Sequence, residues 1–101
     1  MTRYNKLVRD KIPEILKNKN LNPITHTADN KEYWEKLKEK LHEEVNEFLE
    51  ENNKEELADI LEVIESITNH LKISREDLEE TKNKKAEERG KFINKTILEE
   101  V

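Results

Sequence analysis

The chain has no cysteine, one glycine, two prolines and one tryptophan in 101 residues. Without cysteine there is neither a disulfide framework nor a thiolate metal site. So little glycine and proline leaves scant material for the turns of an all-β fold. The lone glycine, Gly90, also excludes a glycine-rich loop cradling phosphate. No apolar run approaches the roughly 20 residues that span a bilayer. Residues 1–10 lack the uninterrupted apolar core of a signal peptide. A cytoplasmic protein with no membrane partner is expected.

Apolar residues are scarce too, at 33% against 43% charged, and the net charge is −5. A negative whole-molecule field repels nucleic acid polymers, and the few aromatics do not alternate with basic residues as on a base-stacking platform. The apolar residues nevertheless recur at helical spacing, which separates the chain from a disordered one. A single domain over residues 1–101 is expected, with a core too thin to stand alone and completed by a second copy.

Four helices follow from the pattern. Asp10 is a candidate cap for a first helix over about residues 11–19, with Pro13 in its first turn. Asp29 and Glu32 make a capping-box-like start to a second, over about 30–51, with Trp34, Leu37, Leu41, Val45 and Phe48 as its stripe. Asn53 and Glu56 repeat that start for a third, which carries Leu57, Ile60, Leu61, Ile64, Ile67 and Leu71 inward. So short a break at Asn52 and Asn53 predicts an antiparallel hairpin. Ser74 with Asp77 opens a fourth helix that ends near Gly90. The tail, residues 91–101, alternates weakly and offers a short strand to pair beside Ile24 to His26. The expected fold class is all-α, an antiparallel bundle of about four helices with at most one two-stranded β element.

The acidic residues on the hairpin are candidate metal ligands. On a wheel of about 100° per residue, with Leu41 at zero, Glu44 falls near −60° and Glu47 near −120°, at the edge of the apolar stripe. With Ile60 at zero, Glu56 falls near −40°, inside the apolar arc, and Asp59 near −100°. Each pair is spaced i, i+3 and so stacks on one face. In an antiparallel hairpin the pairs can meet across the seam. Four carboxylates at a partly dry seam repel one another, and a cation offsets that cost. All-oxygen ligation suits Mg²⁺ or Mn²⁺. Most glutamate pairs at this spacing merely decorate a solvated face. Glu56 is the exception, because a solvated glutamate rarely sits within an apolar arc.

The fourth helix shows the complementary oddity. With Leu78 at zero, Lys82, Lys85 and Arg89 fall at about 40°, −20° and 20°, where apolar residues belong. Such a stripe can grip phosphate oxygens, arginine bidentately; the plainer reading is an exposed helix paired with Glu79, Glu80 and Glu88. His26, His42 and His70 share no ligand spacing and read as surface or packing residues. Trp34 belongs to the apolar stripe, and no serine or cysteine nucleophile arrangement is present.

Glu43-Glu44-Val45-Asn46-Glu47 followed by Glu56-Leu57-Ala58-Asp59 resembles the paired EExxE and ExxD motifs of the all-α NTP pyrophosphatase (MazG-like) superfamily. The opening YNKLVRDKIPEIL and the closing KAEERGKF resemble its phosphoribosyl-ATP pyrophosphohydrolase-like branch. The likeness runs through nearly the whole chain, in order. It implies Mg²⁺ held by Glu44, Glu47, Glu56 and Asp59 and a nucleoside triphosphate-like substrate. It further implies oligomeric helical bundles; the thin core makes a homodimer the simplest expectation, with a tetramer as the alternative. The resemblance also suggests phosphate contacts from Lys85 and Arg89, with Lys6 and Arg9, to which the stripe on the fourth helix adds Lys82. Two departures stand out: the interval between the acidic motifs is short, and Lys91 follows Gly90 where the branch carries a glycine pair.

The chemistry so implied is attack of water on the α-phosphorus, giving a nucleoside monophosphate and pyrophosphate. Glu43, on the other side of its helix, is expected to steady a loop or a neighbouring subunit. Two alternatives differ in consequence: a phosphoribosyl-ATP pyrophosphohydrolase of histidine biosynthesis, and an inactive helical dimerisation or regulatory module.

Overall fold

A computed structural model describes residues 3–101, so the first two residues of the expected 1–101 domain lie outside the described residues. Its elements are four helices: α1 (Ile12–Asn18), α2 (Asn30–Glu51), α3 (Lys54–His70) and α4 (Arg75–Arg89). None of the helices described is long and apolar enough to cross a membrane.

α2 begins where Asp29 accepts a hydrogen bond from the Glu32 N–H at 2.9 Å, and α3 begins where Asn53 accepts one from the Glu56 N–H at 3.0 Å. Both are half of a capping box. The glutamate side chains do not return to the cap. Glu32 instead meets His26 Nε2 at 3.0 Å, and Glu56 turns into the hairpin seam. Asn52 joins the two helices in the left-handed conformation, with φ 53°, and its N–H donates to the Phe48 carbonyl at 2.7 Å. An asparagine tolerates that backbone better than most residues. The tight turn folds α3 back along α2, and this pair supplies the fold's one extensive helix–helix contact among the described residues.

The core of that pair is small. Leu37 and Val63 are buried, Leu37 fully; Trp34, Leu41, Phe48, Ile60, Ile64 and Ile67 are half-buried. Val45, Leu57, Leu61 and Leu71, expected inward, are exposed, Leu61 at 64%. Leu49, also at 64%, is exposed with them, uncovered by any of the described residues.

α1 starts one residue later than expected and without a side-chain cap; the Arg9 carbonyl accepts from the Ile12 N–H at 3.0 Å and closes the turn that Asp10 was expected to cap. The expected β element is absent among the described residues. Pro23 has no N–H to offer a partner, and Ile24, Ile97 and Leu98 stand exposed with no ladder between the two segments. After α3 the chain turns through Lys72, at φ 59°. α4 then runs outward, its residues exposed apart from half-buried Ala86. The molecule is accordingly elongated, 56 × 31 × 24 Å.

Candidate metal centre

The half capping box at the start of α3 has a chemical consequence. With Asn53 holding the Glu56 backbone, the Glu56 side chain is free to enter the seam one turn ahead of Asp59. Across the seam α2 presents Glu44, which is only 6% exposed. One carboxylate oxygen from each of Glu44, Glu56 and Asp59 lies within 4.8 Å of the other two. Three of the four expected ligands thus converge. Glu47, one turn beyond Glu44 on α2, is half-buried at the rim and lies outside the three-residue group.

The electrostatics are unbalanced. Burial raises the Glu44 carboxyl above the usual carboxylate range; the charge on Glu47 adds to this, and Lys40 opposes it. Lys40 Nζ is 3.3 Å from Glu44 Oε1. The other oxygens matter more: Glu44 Oε2 and Glu56 Oε2 are buried with no hydrogen-bond partner. An unsatisfied buried polar atom costs about 1–3 kcal/mol, more when charged. Both belong to residues of the converging group, whose chemistry suits a cation.

Three basic residues surround the cluster. Lys40 also donates to Glu43 at 3.1 Å, and Lys6 donates to Glu43 at 2.9 Å. Burial pushes the Glu43 carboxyl up, but those two hydrogen bonds outweigh it and hold it below the usual range. Glu43 thereby ties Lys6, in the segment before α1, to α2. Arg9 Nη2 donates to Asp59 Oδ1 at 2.7 Å, and Nη1 stands 3.6 Å from Glu62. Carboxylates outnumber cations here: Glu43, Glu44, Glu47, Glu56, Asp59 and Glu62 stand against Lys6, Lys40 and Arg9. The excess of negative charge favours a cation. All the donors are hard oxygens, and a Mg²⁺ or Mn²⁺ ion fits them.

Lys40 was not singled out in the sequence, although its spacing to Glu43 and Glu44, i+3 and i+4, was there to find. The basic stripe is not brought to the carboxylates. Lys82 pairs with Glu79 at 3.4 Å on its own helix, and Lys85 and Arg89 are exposed on α4. Gly90 alone takes the positive φ that ends α4, at 84°, and Lys91 is not among the positive-φ residues. A second glycine is not required by that backbone.

The histidines are surface or packing residues, none of them in the carboxylate group. His70 stacks on Trp34 with ring centroids 5.4 Å apart and meets Tyr33 edge-on, while Lys38 lies over the outer part of Trp34 at 5.1 Å from its centroid. His42 is exposed. Compared with known proteins, the chain matches no family model, no curated protein and no solved structure, so the likeness rests on the motifs themselves.

Proposed function

We propose that this chain is a divalent-cation-dependent hydrolase of a phosphoric anhydride, cleaving a nucleoside triphosphate-like substrate to a monophosphate and pyrophosphate. One observation carries the reading: two buried carboxylate oxygens, on Glu44 and Glu56, are left without a partner in a cluster that Asp59 completes. A purely structural cluster of this kind spends stability and gains nothing from it. The paired acidic motifs and their flanking segments favour this hydrolase class over other uses of a magnesium site.

Glu44, Glu56 and Asp59 would hold Mg²⁺, with Glu47 at the rim. Bound there, the ion supplies Lewis acidity, lowering the pKa of water and neutralising charge on phosphate. Glu47, more accessible than Glu44, would take the proton of the attacking water. The water oxygen bonds to the α-phosphorus, the bond from that phosphorus to the bridging oxygen breaks, and pyrophosphate departs. Arg9 and Lys6 offer positive charge from the segment before α1.

A second copy belongs to this reading. Val45 and Leu49 on α2, with Leu57 and Leu61 on α3, form an exposed apolar face at four-residue spacing. Large exposed apolar faces mark association sites. A dimer built on that face also offers a route for Lys82, Lys85 and Arg89 of one copy to reach the carboxylates of the other.

The test is a nucleotide panel incubated with Mg²⁺ or Mn²⁺ in ¹⁸O-water, with products separated and weighed. The expected outcome is ¹⁸O in the monophosphate and unlabelled pyrophosphate. Label confined to released orthophosphate excludes cleavage at the α-phosphorus; no turnover of any member excludes the hydrolase.

A further inference from the structure

We infer that Arg9 is an exchangeable counter-ion: it occupies Asp59 in the metal-free protein, yields Asp59 to the incoming divalent cation, and then binds the phosphate that the cation recruits. The inference rests on the metal centre proposed above and adds an order to it, metal before phosphate.

The contact that motivates it joins one of the cluster's three converging carboxylates to a guanidinium. Arg9 Nη2 sits 2.7 Å from Asp59 Oδ1. Arg9 is the basic side chain bonded directly to Asp59; Lys6 is engaged by Glu43, outside the cluster. The Arg9 side chain is 55% exposed and its Nη1 also stands 3.6 Å from Glu62, so letting go of Asp59 leaves it neither dry nor without a counter-charge. Its backbone does not depend on that bond. Lys6 stays fixed on Glu43, Lys36 donates to the Asn5 carbonyl at 2.7 Å, and the Arg9 carbonyl is held by the Ile12 N–H. The segment can remain anchored while one side chain changes partner.

The direction of exchange follows from charge. A divalent ion at the cluster competes with the guanidinium for the same Asp59 carboxylate and, carrying twice the charge, weakens the attraction that holds Arg9 there. Once released, the guanidinium stays beside a cation that draws phosphate in, and its planar fork suits phosphate oxygens bidentately. Phosphate thus takes the place that Asp59 held.

A different role predicts the opposite sign. If Arg9 instead orients Asp59 as a ligand, as outer partners of metal ligands do, removing it weakens the metal. Calorimetric titration of the full chain with Mn²⁺ alone, then with inorganic pyrophosphate at saturating Mn²⁺, separates the two. For an exposed pair of modest strength, Arg9→Gln should bind Mn²⁺ about two- to fivefold tighter than the unaltered protein. It should also bind pyrophosphate several-fold more weakly. Lys6→Gln, which removes the same charge from the same segment, should shift Mn²⁺ affinity less. Equal or weaker Mn²⁺ binding by Arg9→Gln, or an effect no larger than that of Lys6→Gln, overturns the exchange while leaving the metal centre standing. Absence of Mn²⁺ binding in the unaltered protein overturns both. In the unaltered protein the Arg9 Nε–H resonance, followed by NMR, should move and exchange faster on adding Mg²⁺. A resonance that stays as it was in EDTA counts equally against the exchange.

Discussion

Glu44 and Glu56 approach one point from two different helices, and each leaves its Oε2 buried without a hydrogen-bond partner. The relationship is unfavourable as it stands. Each carboxylate has lost water, and each lies near another of like charge. A fold that holds the two together without a cation stores a destabilisation that a cation relieves. Several measurable consequences come from that sign.

Glu56→Gln should stabilise the fold in EDTA, because a neutral amide relieves repulsion and lowers the desolvation cost. With saturating Mg²⁺ the order should reverse, since the unaltered protein gains more of the linkage stabilisation, RT ln(1 + [L]/Kd). Hydrolysis should fall by orders of magnitude. Thermal melts of both proteins under both conditions decide it. A variant that is less stable in EDTA and in magnesium alike makes Glu56 a structural residue.

Glu44 gives the matching pH dependence. Its folded-state pKa is raised, chiefly by burial and then by Glu47. In the window between the ordinary carboxylate value and that raised value, the folded state binds more protons than the unfolded. Stability from this group is therefore present below the window and lost as pH rises through it. In EDTA, the melting temperature of the unaltered protein minus that of Glu44→Gln should fall across this range. Glu43, held low by Lys6 and Lys40, acts in the opposite sense and is lost as pH falls, but its window lies below the ordinary carboxylate value and so apart from that of Glu44. A difference that is flat with pH contradicts the assignment.

Lys40 serves Glu43 and Glu44 at once, with its side chain only 16% exposed. Lys40→Met leaves Glu44 buried with neither oxygen partnered, and should cost about 1–3 kcal/mol in EDTA. Magnesium supplies the missing charge, so most of the loss should be recovered on adding it. Urea denaturation with and without Mg²⁺ measures both numbers, and a loss indifferent to magnesium removes Lys40 from the site.

The parts legible in the sequence were those set by neighbours three or four residues apart. Asp29, Asn53 and Ser74 each accept the backbone N–H three residues on, as their spacing implied. Glu56 stood out within an apolar arc, and it does enter the seam. The Lys40 pairs were equally local and were overlooked among many charged neighbours. Arg9 with Asp59 spans 50 residues and could not be read from spacing at all. Nor could the course of α4, which depends on the backbone at residues 71–74 rather than on any periodicity. Asp10 failed as a cap because the Arg9 carbonyl had already closed that turn. The tail's weak alternation met no partner strand, and alternation without hydrogen bonds does not make a sheet.

The position of α4 leads to the last prediction. Its stripe, Lys82, Lys85 and Arg89, is exposed and makes no ion pair with the carboxylates among the described residues, so within one chain it is not part of the centre. If the stripe grips phosphate, it does so on another copy. Two disabled chains should then repair each other: one carrying Glu56→Gln, the other Lys85→Ala with Arg89→Ala. A mixed dimer joins the intact carboxylates of the second chain to the intact stripe of the first, which restores one site of two. With random pairing, half the dimers are mixed, so the recovered activity should approach about a quarter of the unaltered value. Mixing should be done by co-unfolding and refolding, and sedimentation must show a species heavier than the 12.1 kDa chain. If activity does not return although mixed dimers are present, the stripe acts within its own chain or not at all. If every protein sediments as a folded single chain, the apolar face on Val45, Leu49, Leu57 and Leu61 is not a subunit contact.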